Sequence, residues 1–373
     1  MDPENTLNTY FTDLLPRIEE EMHRIVTPHV TPHAAVSSTA GLDISQPAIF
    51  NTMLNYHLGF VDADGSTTRV YGGKRIRPLL TLLCCEACGG TMEAALPGAA
   101  AVEMLHNFSL IHDDIEDCDE LRRGRPTLWK VWGEPQAINS GDAMFTLAHI
   151  ALESTIDRGI SAERVIRAMR VFDDACVALT IGQHLDLSFE NRADVSSDEY
   201  MTMIKGKTGA LTQAACAIGA ILADAPAWRV TALAEFGAWL GIAFQLQDDV
   251  LGIWGDPEKT GKQDSDLSHR KKTLPVLFAA EHDAAIRALY FGQPARDGGE
   301  SSMDTIDTTD TMDSGKIKLL RTLIENRGGR AYTEQAALDA HNKSVGALAA
   351  AQISGPAADA LQELGRSLLG RAS

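Results

Sequence analysis

Apolar residues recur at helical spacing along most of the chain. Positions 210–223 and 230–251 show this most clearly, because apolar side chains there repeat on one face of a helix. Segments in which apolar and polar residues alternate, as they do in half-buried strands, are scarce. The pattern therefore predicts an all-α protein.

Two stretches lack this periodicity. Residues 27–47 are rich in Pro, Ser, Thr and Ala, and residues 296–315 carry aspartates at every third position from Asp304 to Asp313. That spacing does not match the alternate-residue ligands of an EF-hand, so a solvated acidic surface loop is favoured over a calcium loop.

No linker separates the polar motifs of the chain, so we expect a single domain. Its parts are an N-terminal helical and loop extension (1–69), a helical core that carries the motifs (70–295), the acidic surface loop (296–315) and C-terminal helices that pack on the core (316–373). With 373 residues, 45% of them apolar, the chain is long enough to bury one large core.

Composition narrows the possible location and partners. The formal net charge is −18, the N-terminus is acidic and polar, and neither a signal peptide nor an apolar run of 18 residues is present. Cys85 and Cys88 form a Cys-x-x-Cys pair, but no second pair follows at zinc-ribbon spacing, which favours buried, reduced thiols. We expect a cytoplasmic protein with no stable membrane insertion and no nucleic-acid partner.

Two acid-rich segments, 113–117 and 247–252, are embedded in apolar helical stretches. Asp113 and Asp117 are one helical turn apart and project from the same face. Carboxylates in a helical core are costly unless cations pair with them, and a leucine-rich flank argues against a solvated helix face. Hard oxygen ligands favour Mg²⁺, which completes its coordination with water and phosphates. The sequence thus predicts Mg²⁺ ligands at Asp113, Asp117 and Asp248.

Basic residues bunch beside these acids. Residues 71–78 combine a glycine pair with three positive charges and end in Pro78, which suits the first turn of a helix. Two further groups occupy 121–127 and 205–209. More follow the second acidic segment: Lys259, Lys262, Arg270, Lys271 and Lys272. Such groups are the usual receptors for diphosphates.

Six motifs occur in the order found in trans-isoprenyl diphosphate synthases, and the chain resembles that family from about residue 70 to about residue 280. The motifs are GGKRIRP (72–78), LIHDDIED (110–117), LRRGRPT (121–127), GQHLD (182–186), KTG (207–209) and FQLQDD (244–249). DDxxD alone is weak, because terpene cyclases share it, but six motifs in order are specific. The resemblance implies a single large helical bundle around a deep central cavity, the isoprenoid synthase fold, and a homodimer.

The resemblance also implies a reaction, in which an allylic diphosphate (dimethylallyl, geranyl or farnesyl) ionises and is elongated by isopentenyl diphosphate. Mg²⁺ on the three aspartates neutralises the leaving diphosphate. The family pattern assigns isopentenyl diphosphate to Lys74, Arg77, His106 and Arg123. It assigns the allylic site to Arg122, Lys207, Thr208, Gln245 and Lys262, with Lys271 as a further substrate-binding residue. Without the resemblance, His106 would fit equally well as a core histidine.

The second acidic motif departs from the family pattern at Gly252, where an aspartate is usual. This weakens the second group of metal ligands, although Asp249, Asp256 and Asp266 are near in sequence. Two rival functions remain open, a class I terpene cyclase and a non-catalytic subunit. A cyclase has no need of the isopentenyl diphosphate residues, and non-catalytic subunits tend to lose the first aspartate motif.

Product length depends on residues just before the first aspartate motif. Ser109, four residues before Asp113, is expected to face the cavity and is too small to close it, while Phe108 obstructs it only partly from the flank. An aromatic residue five positions before the motif resembles synthases that stop at C20. We therefore expect geranylgeranyl diphosphate, with farnesyl diphosphate (C15) as the alternative.

Overall fold

Helices make up most of the structure, a computed structural model that describes residues 3–30, 45–68, 73, 75–255, 266–292 and 313–369. In chain order they are α1 (Pro3–Val30), α2 (Ser45–Leu58), α3 (Ile76–Ala87), α4 (Met92–Glu116), α5 (Leu128–Trp132), α6 (Glu134–Glu153), α7 (Ala162–Glu190), α8 (Ser197–Ile204), α9 (Ala210–Leu222), α10 (Ala227–Trp254), α11 (Leu274–His282), α12 (Ala284–Phe291), α13 (Ser314–Asn326), α14 (Gly329–Ala350) and α15 (Pro356–Leu369). The predicted all-α class is confirmed.

Some local expectations need correction. The helices α1 and α2 extend into the stretch predicted to be irregular, of which residues 31–44 lie outside the described residues, as do 296–312 of the predicted acidic loop. The cysteines are free thiols, but of the six only Cys84, Cys85 and Cys216 are buried. Cys88 and Cys176 are partly exposed, and Cys118, which follows α4 in a left-handed turn with φ 55°, is exposed. In the described ranges no helix is long and apolar enough to cross a membrane.

One compact unit comprises residues 1–176, 214–234 and 348–363. Its central helix is α4, which packs against α1, α3 and α6. Small residues allow this close packing, since Ala99, Ala100 and Ala101 of α4 are fully buried. After α4 the chain forms an antiparallel hairpin, β1 (Leu121–Arg122) and β2 (Arg125–Pro126), with Leu121 opposite Pro126.

A second unit comprises residues 177–213, 235–347 and 364–373. Between α8 and α9 the chain makes one π-helical turn, Lys205–Gly209. Such turns are frequent at functional sites. A Cβ at Gly182 of α7 would lie 2.8 Å from the Gly206 carbonyl carbon, so this glycine lets the two backbones meet. The contact places Lys207 beside α7.

Candidate active site

The first acidic segment forms the C-terminal end of α4. The Asp117 N–H donates to the Asp113 carbonyl oxygen at 2.8 Å, so these residues are one turn apart. Asp117 is exposed and Asp113 is partly exposed, whereas Asp114 is 1% exposed. The structure thus presents the two predicted metal ligands and buries the aspartate between them.

Asp114 fixes the hairpin to α4. The Arg122 Nε donates to Asp114 Oδ1 at 2.5 Å. Burial raises the pKa of Asp114 to about 6, although the charge of Arg122 opposes the shift. Arg123 and Gly124 have positive φ angles of 54° and 76°, as expected for a two-residue hairpin turn. The ion pair therefore positions Arg123 at the hairpin tip.

Three of the four predicted isopentenyl diphosphate residues lie near this tip. A Cβ at Gly73 would lie 2.9 Å from the Arg123 Nη2, so the guanidinium packs against Gly73. Burial, and then the positive charges of Arg77 and Arg123, hold the pKa of His106 well below its usual range. Arg77, His106 and Arg123 therefore share one strongly positive region, and Lys74 lies outside the described residues.

Arg75 has a structural role that its place in a basic motif does not reveal. Its guanidinium is 1% exposed, donates to the Glu103 carboxylate at 2.6 Å and donates to the Leu58 carbonyl oxygen at 3.0 Å. Its backbone is left-handed, with φ 46°. These contacts tie the segment before α3 to both α2 and α4.

A small pocket of about 30 Å³ opens beside the hairpin. Its lining residues are Tyr56, His57, Gly59, Asp114, Arg122, Arg123, Arg125, Pro126, Thr127 and Leu128. Burial and the neighbouring arginines lower the pKa of His57 to about 3, so its ring is neutral at physiological pH. Arg122 pairs with Asp114 and Arg125 pairs with Asp62, so Arg123 and the neutral imidazole are the groups that suit a phosphate group. Sequence reasoning missed His57, because it belongs to none of the motifs.

The second acidic segment lies near the end of α10, and its two aspartates have different surroundings. Asp248 is partly exposed, but Asp249 is 2% exposed. The Asp249 carboxylate accepts hydrogen bonds from the Tyr200 hydroxyl at 2.6 Å, Gln245 Nε2 at 3.1 Å and the Leu274 N–H at 3.2 Å. Burial raises the pKa of Asp249 to about 7 despite these donors.

Three predicted allylic-site residues lie in the same unit as Asp248. Lys207 donates to the Asp186 carboxylate at 2.6 Å, and the Thr208 hydroxyl donates to Gln245 Oε1 at 3.1 Å. Lys262 lies outside the described residues. Lys271 has an exposed side chain, and its N–H donates to the Asp266 carbonyl oxygen at 3.1 Å.

The space beside Gly252 is filled by Asp266. A Cβ at position 252 would lie 2.6 Å from the Asp266 carboxylate carbon and nearer still to Oδ2. The Asp266 N–H also donates to the Gly252 carbonyl oxygen at 3.0 Å. Because position 252 is one turn beyond Asp248, an acidic group does lie beside that position of α10 despite the missing motif aspartate.

The predicted chain-length residues occupy different environments. The Phe108 ring contacts the rings of His112 and Phe145, with centroid distances of 4.9 Å and 5.0 Å. Ser109 is 9% exposed, and its hydroxyl donates to the His106 carbonyl oxygen at 2.9 Å. The partner ring of Phe145, on α6, was not predictable from the spacing within α4.

The carboxylates fit a cation that takes most of its ligands from elsewhere. Within the part of the chain that the structure describes, no three acidic, histidine or cysteine side chains form a closed metal centre. Asp113 and Asp117 instead offer two accessible carboxylates on one helical turn. Two hard oxygen donors on one turn suit a hard cation of the Mg²⁺ type, which takes its remaining ligands from water and phosphate oxygens.

Comparisons with known proteins agree with these features. The family model described as polyprenyl synthetase matches residues 65–298. The (2E,6E)-farnesyl diphosphate synthase of Mycobacterium tuberculosis is 40% identical over 86% of this chain and 85% of its own length. Geranylgeranyl diphosphate synthase of the same organism is 45% identical over 64% of this chain and 69% of its own length. The crystal structure of a Streptomyces coelicolor A3(2) polyprenyl synthetase superimposes with a TM-score of 0.76 at 36% identity, over 95% of this chain and 99% of that one.

Proposed function

The chain belongs to the polyprenyl synthetase family, and from this premise we propose that it is a short-chain trans-prenyltransferase that joins isopentenyl diphosphate to an allylic diphosphate. The observation that carries this proposal is the meeting of Arg77, His106 and Arg123 beside the first aspartate segment. A terpene cyclase ionises one diphosphate and needs no second diphosphate receptor of this kind.

The cationic region is the proposed receptor for isopentenyl diphosphate. Arg77 and Arg123 would hold the diphosphate by charged hydrogen bonds, and the neutral His106 would add a further polar contact. We include Lys74 in this set from the motif, and we add His57 because it lines the adjoining pocket.

Asp113, Asp117 and Asp248 are the residues proposed to hold Mg²⁺. When bound, Mg²⁺ neutralises the diphosphate that leaves the allylic substrate. Arg122, Lys207 and Lys262 would add positive charge to that diphosphate, and Lys271 is a further candidate. Thr208 and Gln245 would place polar oxygens near the reacting carbon. Loss of a proton to the departing diphosphate would complete the elongation.

We propose geranylgeranyl diphosphate as the product. Ser109 leaves room next to α4, and the Phe108 and Phe145 rings together would form the floor that stops further growth. Farnesyl diphosphate is the alternative, because synthases of both products are among the similar proteins.

We further propose a cytoplasmic homodimer with one catalytic domain. Helix α7 exposes Val177 and Ile181, which are one turn apart and 58% and 55% exposed. Neighbouring exposed apolar side chains of this kind are found at protein interfaces, and a second copy of the chain would cover them.

The proposed activity is tested by incubating the purified protein with Mg²⁺, labelled isopentenyl diphosphate and each allylic primer in turn. Prenyl diphosphates longer than the primer are expected, with C20 dominant. A hydrocarbon or alcohol formed from farnesyl diphosphate without isopentenyl diphosphate would instead identify a cyclase. Absence of any conversion, in a folded protein, would refute the proposed activity.

A further inference from the structure

A line of hydrogen bonds runs from the proposed allylic site into the buried core of the second unit. The Thr208 hydroxyl donates to Gln245 Oε1 at 3.1 Å, and Gln245 Nε2 donates to Asp249 Oδ1 at 3.1 Å. The other oxygen of Asp249 accepts from the Tyr200 hydroxyl at 2.6 Å and from the Leu274 N–H at 3.2 Å. Every donor points the same way, towards Asp249.

The direction of this line follows from the chemistry of its members. Gln245 turns its NH₂ group towards Asp249 and its carbonyl oxygen towards Thr208, which is the orientation that an ionised carboxylate, a pure acceptor, requires. The Thr208 hydroxyl donates its single proton to Gln245, so its oxygen can only accept hydrogen bonds or face positive charge in any other contact. Asp249 is 2% exposed and held by a backbone and a side-chain donor, so it forms the fixed end of the line.

We propose that Asp249 is a positioning residue, which acts through Gln245 to orient the Thr208 hydroxyl so that its oxygen faces positive charge. This inference rests on the proposed function, in which positive charge develops on an allylic carbon. It also separates the two neighbouring aspartates, since Asp248 would hold metal while Asp249 would set hydrogen-bond polarity.

The variant Asp249→Asn tests this role because it reverses the donor and acceptor roles in the hydrogen bonds from residue 249 through Gln245 to Thr208. The Tyr200 hydroxyl and the Leu274 N–H would keep an oxygen acceptor at their end, which turns the new NH₂ group towards Gln245. The Gln245 amide must then flip, and its own NH₂ would donate to Thr208. With the Thr208 oxygen occupied, kcat is expected to fall about 10–100-fold while KM for both substrates changes less than about threefold.

Tyr200→Phe is the matched control, since it removes a donor to Asp249 but leaves the orientation of Gln245 and Thr208 intact. It should lower the melting temperature and keep kcat within about threefold of wild type. Equal losses of kcat in the two variants would overturn the proposal, because Asp249 would then serve stability alone.

A double-mutant cycle with Thr208→Val gives the decisive comparison. If Asp249 acts through Thr208, then Asp249→Asn costs almost nothing further in the Thr208→Val background. Additive losses would overturn the proposal.

The Gln245 side-chain NH₂ signals in ¹⁵N NMR spectra provide a readout without turnover, and they should shift in Asp249→Asn but not in Asp248→Asn. Unshifted signals refute the orientation, whereas a wild-type protein that has the expected signals but makes no product refutes the proposed function instead.

Discussion

Introducing a side chain at position 252 should lower the free energy of unfolding. In Gly252→Ala the new Cβ would lie 2.6 Å from the Asp266 carboxylate carbon, and atoms in contact normally stand about 3.5 Å apart. Asp266 Oδ2 is nearer still, so the carboxylate must retreat by more than about 1 Å. The backbone hydrogen bond from Asp266 to the Gly252 carbonyl oxygen resists that movement.

The expected magnitude is a balance of two effects. Overpacking of a buried site costs about 1–3 kcal/mol, and replacement of a helical glycine by alanine returns about 1 kcal/mol. The net loss is up to about 2 kcal/mol. Gly346, in α14, is the matched control, because a Cβ there would meet nothing within 4 Å. Gly346→Ala should therefore gain up to about 1 kcal/mol.

Urea unfolding at pH 7 measures both variants, with the m-value checked for constancy. Gly252→Asp, which restores the usual motif, should be no more stable than Gly252→Ala. Removing the obstacle with Asp266→Gly in the Gly252→Ala background should recover the loss. The reasoning is refuted if Gly252→Ala gains as much stability as Gly346→Ala.

Four further predictions concern chemistry and pH. Asp113→Ala should lower turnover by at least about 100-fold, and excess chelator should do the same to the wild type; undiminished turnover in either case would exclude the metal assignment. Arg77→Ala should raise KM for isopentenyl diphosphate by a factor equivalent to about 1.5–3 kcal/mol, with little change in KM for the allylic primer. Equal changes in KM for both substrates would contradict the assignment of Arg77. Phe108→Ala should release products longer than C20, and Phe145→Ala in the same background should lengthen them further; chromatography of the dephosphorylated products decides this, and unchanged chain lengths would place the floor elsewhere. Burial raises the pKa of Asp249 to about 7, above the unfolded value near 3.9, so the folded state binds more protons between these pH values. The unfolding free energy of the wild type should therefore fall, relative to that of Asp249→Asn, as the pH rises from about 4 to about 7. Unfolding free energies that change in parallel for the two proteins across that range would show that the pKa is not raised.

Much of this site follows from local spacing. The one-turn separation of Asp113 and Asp117 is a consequence of helical geometry, and both acidic segments lie on helices as their apolar surroundings predict. The family motifs correctly identify the chain as a polyprenyl synthetase. The roles of individual site residues stay predictions until variants are measured.

Partners distant in sequence were beyond such reasoning. The basic motif contains three charges, but the pairing of Arg75 with Glu103 depends on how α3 and α4 pack. Spacing shows that Asp248 and Asp249 diverge on a helix, but it does not reveal that Tyr200 buries the second one. The position of Asp266 beside Gly252 is likewise a property of the folded chain, so the sequence alone shows Gly252 only as the loss of a motif carboxylate.

The contact between Gly73 and the Arg123 guanidinium has a practical consequence for anyone who wishes to engineer this protein. Two segments 50 positions apart share one small volume, so a side chain introduced in the first displaces a cation from the second. In a library that randomises only one of these segments, the accepted residues are limited by the unchanged side chain of the other segment. Combinatorial libraries should therefore vary positions 73 and 123 jointly, since a bulkier residue at the first is acceptable only with a shorter one at the second.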